Sequence, residues 1–238
     1  MIEFYYAPTP NGWKVGIMLE ECGLDYELHL MRLAEGDQFT SAFREISPNA
    51  KMPAIRDRAP PSAYGPEPVT VFESGAILLY LAEKTGRFGT TDPLGRKSLM
   101  EWMFWQVGNQ GPMGGQLSHF RNYAPSGQDY GRDRYGGEYE RNLAVLDTRL
   151  SNRPFILGND YTIADMLAFP WAFIAKPLGA DLGEFPAVAD WRRRIKARPA
   201  VQRAIDLAKG AQNRGQHNAS NTPLLYNQGA SHLRDRPS

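Results

Sequence analysis

Cysteine is almost missing from this 238-residue chain: Cys22 is the single one. One thiol rules out an intrachain disulfide, a Cys-x-x-Cys redox pair and a cysteine-rich metal centre, and it suits a reducing cytoplasm. Histidine is scarce as well. His29, His119, His217 and His232 are scattered, with no pair four residues apart and no carboxylate at metal spacing, so no metal is expected. Charge of one sign is also lacking. Lys and Arg number 27 against 26 Asp and Glu, interspersed, for a formal net charge of +1. That balance carries no footprint of a nucleic-acid or anionic-membrane binder. No apolar run approaches the roughly 20 residues that span a bilayer. The opening MIEFYYAPTP has an acid at its third position and no basic stretch, and is not read as a secretory signal. No Gly-x-Gly-x-x-Gly follows the first apolar run, which removes a dinucleotide-binding enzyme.

What is present is ordinary for a globular protein: 42% apolar and 22% charged residues, and enough length for a substantial core in one domain or two. IEFYYA is a short β-branched and aromatic strand, broken by PTPNG. From Gly12 to Cys22 the apolar residues fall near helical spacing, and Gly23 is a stop. YELHLM reads as a second strand, completing a β-α-β unit whose parallel strands take a right-handed crossover. A short helix over 38–46 leads to a brief strand after Met52-Pro53. A Pro/Gly-rich loop then returns the chain through VTVF as an antiparallel hairpin. Glu73-Ser74-Gly75 opens a helix that Gly86 ends.

Beyond RFGTTDP no strand pattern returns. Helices are expected over about 94–110, 130–150, 162–175 and 188–208, with Gly111 to Gly115 as a break. Thr162 to Asp165 has the form of a capping box, so Asp165 is read as holding a helix start. The expected organisation is an α+β unit over 1–86 with a mixed four-stranded sheet, a linker over 87–93, an all-α domain over 94–209, and a poorly ordered tail over 210–238. Within the tail, PLLY offers a docking segment, and Asn-Ala-Ser at 218–220 matches a glycosylation acceptor without meaning in the cytoplasm.

Several residues carry chemistry. Pro53 has no N–H to donate and suits a strand entry. Ser74 reads as a helix N-cap, and a helix N-terminus with a hydroxyl is a ready carboxylate site. Glu73 beside it supplies a counter-charge for an ammonium. In the loop from Pro8 to Gly12, the Thr9 hydroxyl and the Asn11 amide can donate to an anion at the start of a helix, whose dipole adds positive potential. Tyr5 and Tyr6 lie inside the strand and read as core. Cys22 reads as buried filler, and Trp13 as core or pocket wall.

In order, YAPTPNG, FREISPNAKMPAI and FESGAILLYLAEKTG resemble the cytosolic glutathione transferase superfamily over about residues 1–209, and within it the Nu class and its fungal nitrogen-regulator-like relatives. The resemblance implies a thioredoxin-like first domain with a cis Met52-Pro53 bond. Met52 would then pair, strand-like, with the cysteinyl residue of glutathione. Glu73 and Ser74 would take the γ-glutamyl end, and Gln38 and Lys51 the glycine carboxylate. Arg134 would reach a carboxylate of the same or a second tripeptide. It further implies a homodimer. Since the first-turn loop lacks cysteine, the working thiolate would be glutathione's own, stabilised by Thr9 and Asn11. The expected activity is glutathione-dependent disulfide reduction, with conjugation, peroxide reduction or thioether cleavage open to the same site. A non-catalytic glutathione-binding or regulatory protein is the alternative.

Overall fold

The computed structural model describes residues 1–209, 222–226 and 229–233. The expected disorder of the tail and the 218–220 acceptor fall largely or wholly outside them.

Strand β1 (Ile2–Tyr6) is followed by helix α1 (Pro10–Cys22) and strand β2 (Tyr26–Leu30). A short 3₁₀ turn at Asp37–Phe39 and helix α2 (Ser41–Ile46) replace the single helix expected over 38–46. The Thr40 hydroxyl caps α2 by accepting from Phe43 N–H, and so fixes its start three residues late. Strands β3 (Ala54–Asp57) and β4 (Val69–Phe72) form the hairpin, and helix α3 (Ser74–Thr85) closes the first half. Strand order is β2-β1-β3-β4. β1 runs parallel to β2, with Phe4 opposite Leu28, and antiparallel to β3, with Phe4 opposite Ile55. β3 and β4 are antiparallel. This is the mixed four-stranded sheet expected of the fold.

Alternation along β1 buries Phe4 and Tyr6 completely, against the apolar stripe of α1 (Val15, Ile17, Met18) and that of α3 (Ile77, Leu78, Leu81). Tyr5, on the other face, stacks on His29. Both tyrosines are thus packed within the strand, as read. Cys22 is only half-buried, against Met18 and Thr85, because it sits on the last turn of α1 where the helix emerges from the sheet.

Helices α4 (Pro93–Trp105), α5 (Gly111–Asn122), α6 (Asp129–Leu150), α7 (Ile163–Phe173), α8 (Pro186–Lys196) and α9 (Pro199–Asp206) make the second half. Two expectations are corrected here. Gly111 to Gly115 is not a break but the first turn of α5: a π-turn at Gln106–Gln110 carries α4 directly into it, and Pro112 sits where a helix start needs no N–H. The expected helix over 188–208 is two, parted at Arg198 by Pro199, which cannot donate back into α8.

Helix α7 is the buried centre, with every residue from Ile163 to Ala172 out of solvent. Its start is a capping box. Asp165 accepts from Thr162 N–H at 3.0 Å and, deeper in, from Ile156 N–H at 2.9 Å and the Trp191 indole at 2.8 Å. α1 packs against both α7 and α9, so the helix that follows β1 also carries the junction between the two halves. Arg198 and Glu21 tie α9 to α1 through a two-point ion pair, Nη2 to Oε2 at 2.9 Å. The short helix α10 (Thr222–Leu225) lies against the 3₁₀ turn Leu33–Glu35. Tyr226 stacks on Tyr123, the residue that ends α5, so the PLLY segment does dock.

Candidate functional site

Where α1, β3 and α3 all begin, the chain encloses a cavity of about 410 Å³ against the π-turn and the first turns of α5. Asn11 and Lys14 of α1, Met52 and Pro53 before β3, and Glu73 and Ser74 at the mouth of α3 line one side, with Lys51 at the edge. Val107, Gly111 and Pro112 line the other. A larger cleft of about 860 Å³ between the linker and Tyr161 holds none of the candidate ligand residues.

The wall is built by local chain chemistry. Thr9, extended, caps α1: its hydroxyl oxygen accepts from Gly12 N–H at 3.3 Å, and its O–H donates to the Met52 sulfur, oxygen to sulfur 3.7 Å. Gly12 is required there, since a Cβ would stand 2.2 Å from the Ala7 carbonyl oxygen. Asn11 then sits on the first turn, with its Oδ1 accepting from the Trp171 indole N–H at 3.3 Å. That bond uses the acceptor end of the amide and leaves the NH₂ of this cavity-wall residue as its donor. The Met52–Pro53 peptide is cis, as expected.

The mouth of α3 differs from the expectation. Ser74 is not the N-cap; it is the first helical residue, and Glu73 occupies the cap position with φ +68° and no side-chain capping bond. Its carboxylate, which could accept from a free helix N–H, accepts instead from the Asn49 amide at 3.2 Å. The Ser74 hydroxyl instead accepts from Lys14 Nζ at 3.3 Å. The helix N-terminus still opens on the cavity with an acid beside it, which suits a zwitterionic amino-acid end: carboxylate on the free N–H groups, ammonium on Glu73.

Lys14 escaped the sequence reading. It is 2% exposed, donates to Ser74 Oγ and to Gln106 Oε1 at 2.9 Å, and burial pushes it down to about 7, with Glu73 pulling the other way. A signal was available. Lys14 lies three residues after Asn11 and three before Ile17, on the buried stripe of α1, where a cation needs a reason. Gln106 and Trp171 had no comparable signal, because only the folded chain brings them to α1.

Gln38 and Arg134 are not brought to the cavity. Gln38 is 2% exposed and donates through Nε2 to the Leu33 and Leu224 carbonyls, so the docked α10 occupies its amide. Arg134 is exposed on α6 and pairs with Glu138 one turn on, at 2.8 Å, an ordinary surface arrangement. Among the described residues no three His, Cys, Asp or Glu side chains gather to hold a metal ion, and no helix is long and apolar enough to cross a membrane.

This geometry matches known proteins along most of its length. The Glutathione S-transferase N-terminal domain family matches residues 9–84, and the corresponding C-terminal domain family matches 133–199. The chain is 48% identical over 205 residues to the disulfide-bond oxidoreductase YfcG of Escherichia coli, covering 86% of this chain and 94% of that one. It is similar to a glutathione transferase of Burkholderia graminis solved with two glutathione molecules per subunit, at 45% identity and TM-score 0.81, covering 86% and 87%. A glutathione transferase of Pseudomonas putida, solved with one glutathione disulfide per subunit, matches at 39% identity and TM-score 0.80, covering 87% and 91%. With its sheet, its helical half and the first-turn cavity between them, the chain belongs to the glutathione S-transferase family.

Proposed function

We propose that the chain is a glutathione-dependent disulfide-bond reductase. The carrying observation is the Asn11 amide, its acceptor end anchored by Trp171, on the wall of a cavity that cis Met52-Pro53 and the N-terminus of α3 also line. The donor set fits the tripeptide. Ser74 and the α3 N–H groups suit the γ-glutamyl carboxylate, Glu73 its ammonium, the Met52 backbone the cysteinyl unit, and Lys51 the glycine carboxylate. Gln38 serves that last carboxylate when a rearrangement frees it from both the Leu33 and Leu224 carbonyls, and Arg134 serves a carboxylate of the same or a second tripeptide on leaving Glu138. Likeness to a disulfide-bond oxidoreductase supports the choice of reaction.

The chain's contribution is positioning and charge stabilisation. The Asn11 NH₂ donates to the glutathione sulfur and holds it as thiolate, joined by the Thr9 hydroxyl once that hydroxyl turns from the Met52 sulfur, and the first turn of α1 adds positive potential. The thiolate attacks one sulfur of the substrate disulfide, forming a mixed disulfide and expelling the other sulfur as thiolate, which takes a proton from water. A second glutathione thiolate then attacks the glutathionyl sulfur, giving glutathione disulfide and the second reduced thiol. Two electrons pass from two glutathiones to one disulfide, and no protein thiol takes part.

The same reading includes a homodimer and a reducing cytoplasmic setting, where glutathione is kept as thiol. Thr9→Ala and Asn11→Ala, assayed with glutathione and a small disulfide, test the site. The expected result is a fall in rate for both and a rise in the thiol pKa of bound glutathione. Wild-type rates in both variants would discard it.

A further inference from the structure

Lys14 is a cation the proposed mechanism does not use, in a place where a cation is costly. Its ammonium has two neutral acceptors, Ser74 Oγ and Gln106 Oε1, and no carboxylate pairs with it among the described residues. Glu73 is the acid whose charge reaches it. A buried ammonium without a counter-ion weakens a fold unless something arrives to neutralise it. The cavity wall is where it stands.

Hydrogen-bond direction sharpens the point. An ammonium only donates. By occupying a lone pair of Ser74 Oγ, Lys14 forces the single hydroxyl hydrogen to point elsewhere, and no described group receives it. By occupying Gln106 Oε1, it fixes that amide too, and Gln106 Nε2 is buried with no described partner. Gln106 Nε2 lies 3.1 Å from where a Cβ would stand on Gly111, a residue of the cavity wall. One cation therefore leaves the Ser74 hydroxyl hydrogen without a described acceptor at the mouth of α3, where an anion in the cavity would receive it, and holds the Gln106 amide with its Nε2 unpartnered behind the Gly111 wall.

We propose that Lys14 is a positioning residue for the γ-glutamyl α-carboxylate: its ammonium orients the Ser74 hydroxyl toward the cavity and stands behind it as the counter-charge. The inference rests on the reading that the cavity takes glutathione. A neutral amine at this position could accept the Ser74 hydrogen and so withdraw that donor. A side chain of the same shape without charge would leave the hydroxyl free to rotate.

Two probes separate this role from simple filling: S-methylglutathione, and its analogue with 4-aminobutyrate in place of the γ-glutamyl unit, which lacks only the α-carboxylate. Calorimetric affinities for both are measured with wild type and Lys14→Met. The expected result is a loss of about tenfold to a hundredfold for S-methylglutathione and no change for the analogue. Equal losses for both probes, or none for either, overturn the inference while leaving the proposed function standing. Failure of wild type to bind S-methylglutathione overturns the proposed function, and this inference with it. Should Lys14→Met fail to fold by circular dichroism, Lys14→Gln is read by the same criterion.

Discussion

The Asn11 side chain is held by Trp171, which lies 160 positions away in the sequence, through an indole N–H bond of 3.3 Å to Oδ1. The candidate donor belongs to α1, in the first half, but its direction is set by α7, in the second. Trp171 in turn is seated by close-approaching glycine: a Cβ on Gly114 would stand 2.7 Å from its ring. Trp171→Phe keeps a ring there and removes the N–H. It is expected to lower the disulfide-reduction kcat several-fold with the melting temperature nearly kept. Asn11→Ala, which removes the donor itself, is expected to cost about 10²-fold. Steady-state rates with glutathione and a small disulfide give the comparison.

Glu73 holds a backbone conformation that glycine prefers, at φ +68°. Glu73→Gly relieves a strain of about 1–3 kcal/mol and returns part of it as chain entropy. The expected variant is as stable as wild type or more so, yet binds glutathione at least about tenfold more weakly for want of the carboxylate. Glu73→Gln keeps the strain and loses the charge, so it should show the affinity loss without any gain in stability. Thermal melts and calorimetry on the pair separate the two effects.

Lys14 also predicts a pH dependence of stability in the ligand-free protein. Its folded value of about 7 lies below the ~10.4 of an unfolded lysine, so between them the unfolded chain binds more protons. Stability contributed through this group therefore rises as pH climbs from about 7 toward 10. Below 7 the native state carries the buried charge in full. Lys14→Met should melt higher than wild type at pH 6, by about 5–10 °C, and the gap should narrow toward pH 10. A gap that widens with pH would contradict the assignment.

Asp165 makes the opposite case, a buried acid whose work is structural. It receives hydrogen bonds from two backbone N–H groups, a threonine hydroxyl and an indole. Asp165→Ala orphans all of them at once and is expected to cost about 3–5 kcal/mol. That is a drop of roughly 10 °C for a chain of this size. The glutathione affinity of the folded fraction should stay at the wild-type value.

Phe104 is 64% exposed on α4, beside an apolar groove of about 320 Å³ shared by Met100, Met103 and Val107. An apolar surface of this kind suits the second copy in the proposed homodimer. Light scattering should report a dimer for wild type and a monomer for Phe104→Glu.

Where local chemistry dominates, the chain was readable residue by residue. The β-branched and aromatic run IEFYY placed β1, Gly23 and Gly86 ended α1 and α3 in left-handed caps, and Thr162 with Asp165 gave the capping box. The errors came where two local preferences competed. Gly111 to Gly115 looked like a break, yet the π-turn before it delivered the chain already helical. Ser74 looked like a cap, yet Glu73 took that position because β4 hands the chain over at positive φ. Gln38 and Arg134 could be proposed only by likeness, and the fold turns one to Leu224 and the other to Glu138.

The sequence alone determined that the chain has no thiol able to serve in its first-turn loop, that a hydroxyl and an amide stand there instead, and that an acid precedes a helix start, because those are matters of residue identity and short spacing. Only the tertiary structure decided which way the Asn11 amide points, and that Lys14 meets Ser74 and Gln106. The partners concerned, Trp171, Ser74 and Gln106, lie 160, 60 and 92 positions away, and hydrogen-bond direction is fixed by contacts that exist only once α1 is packed between the two halves.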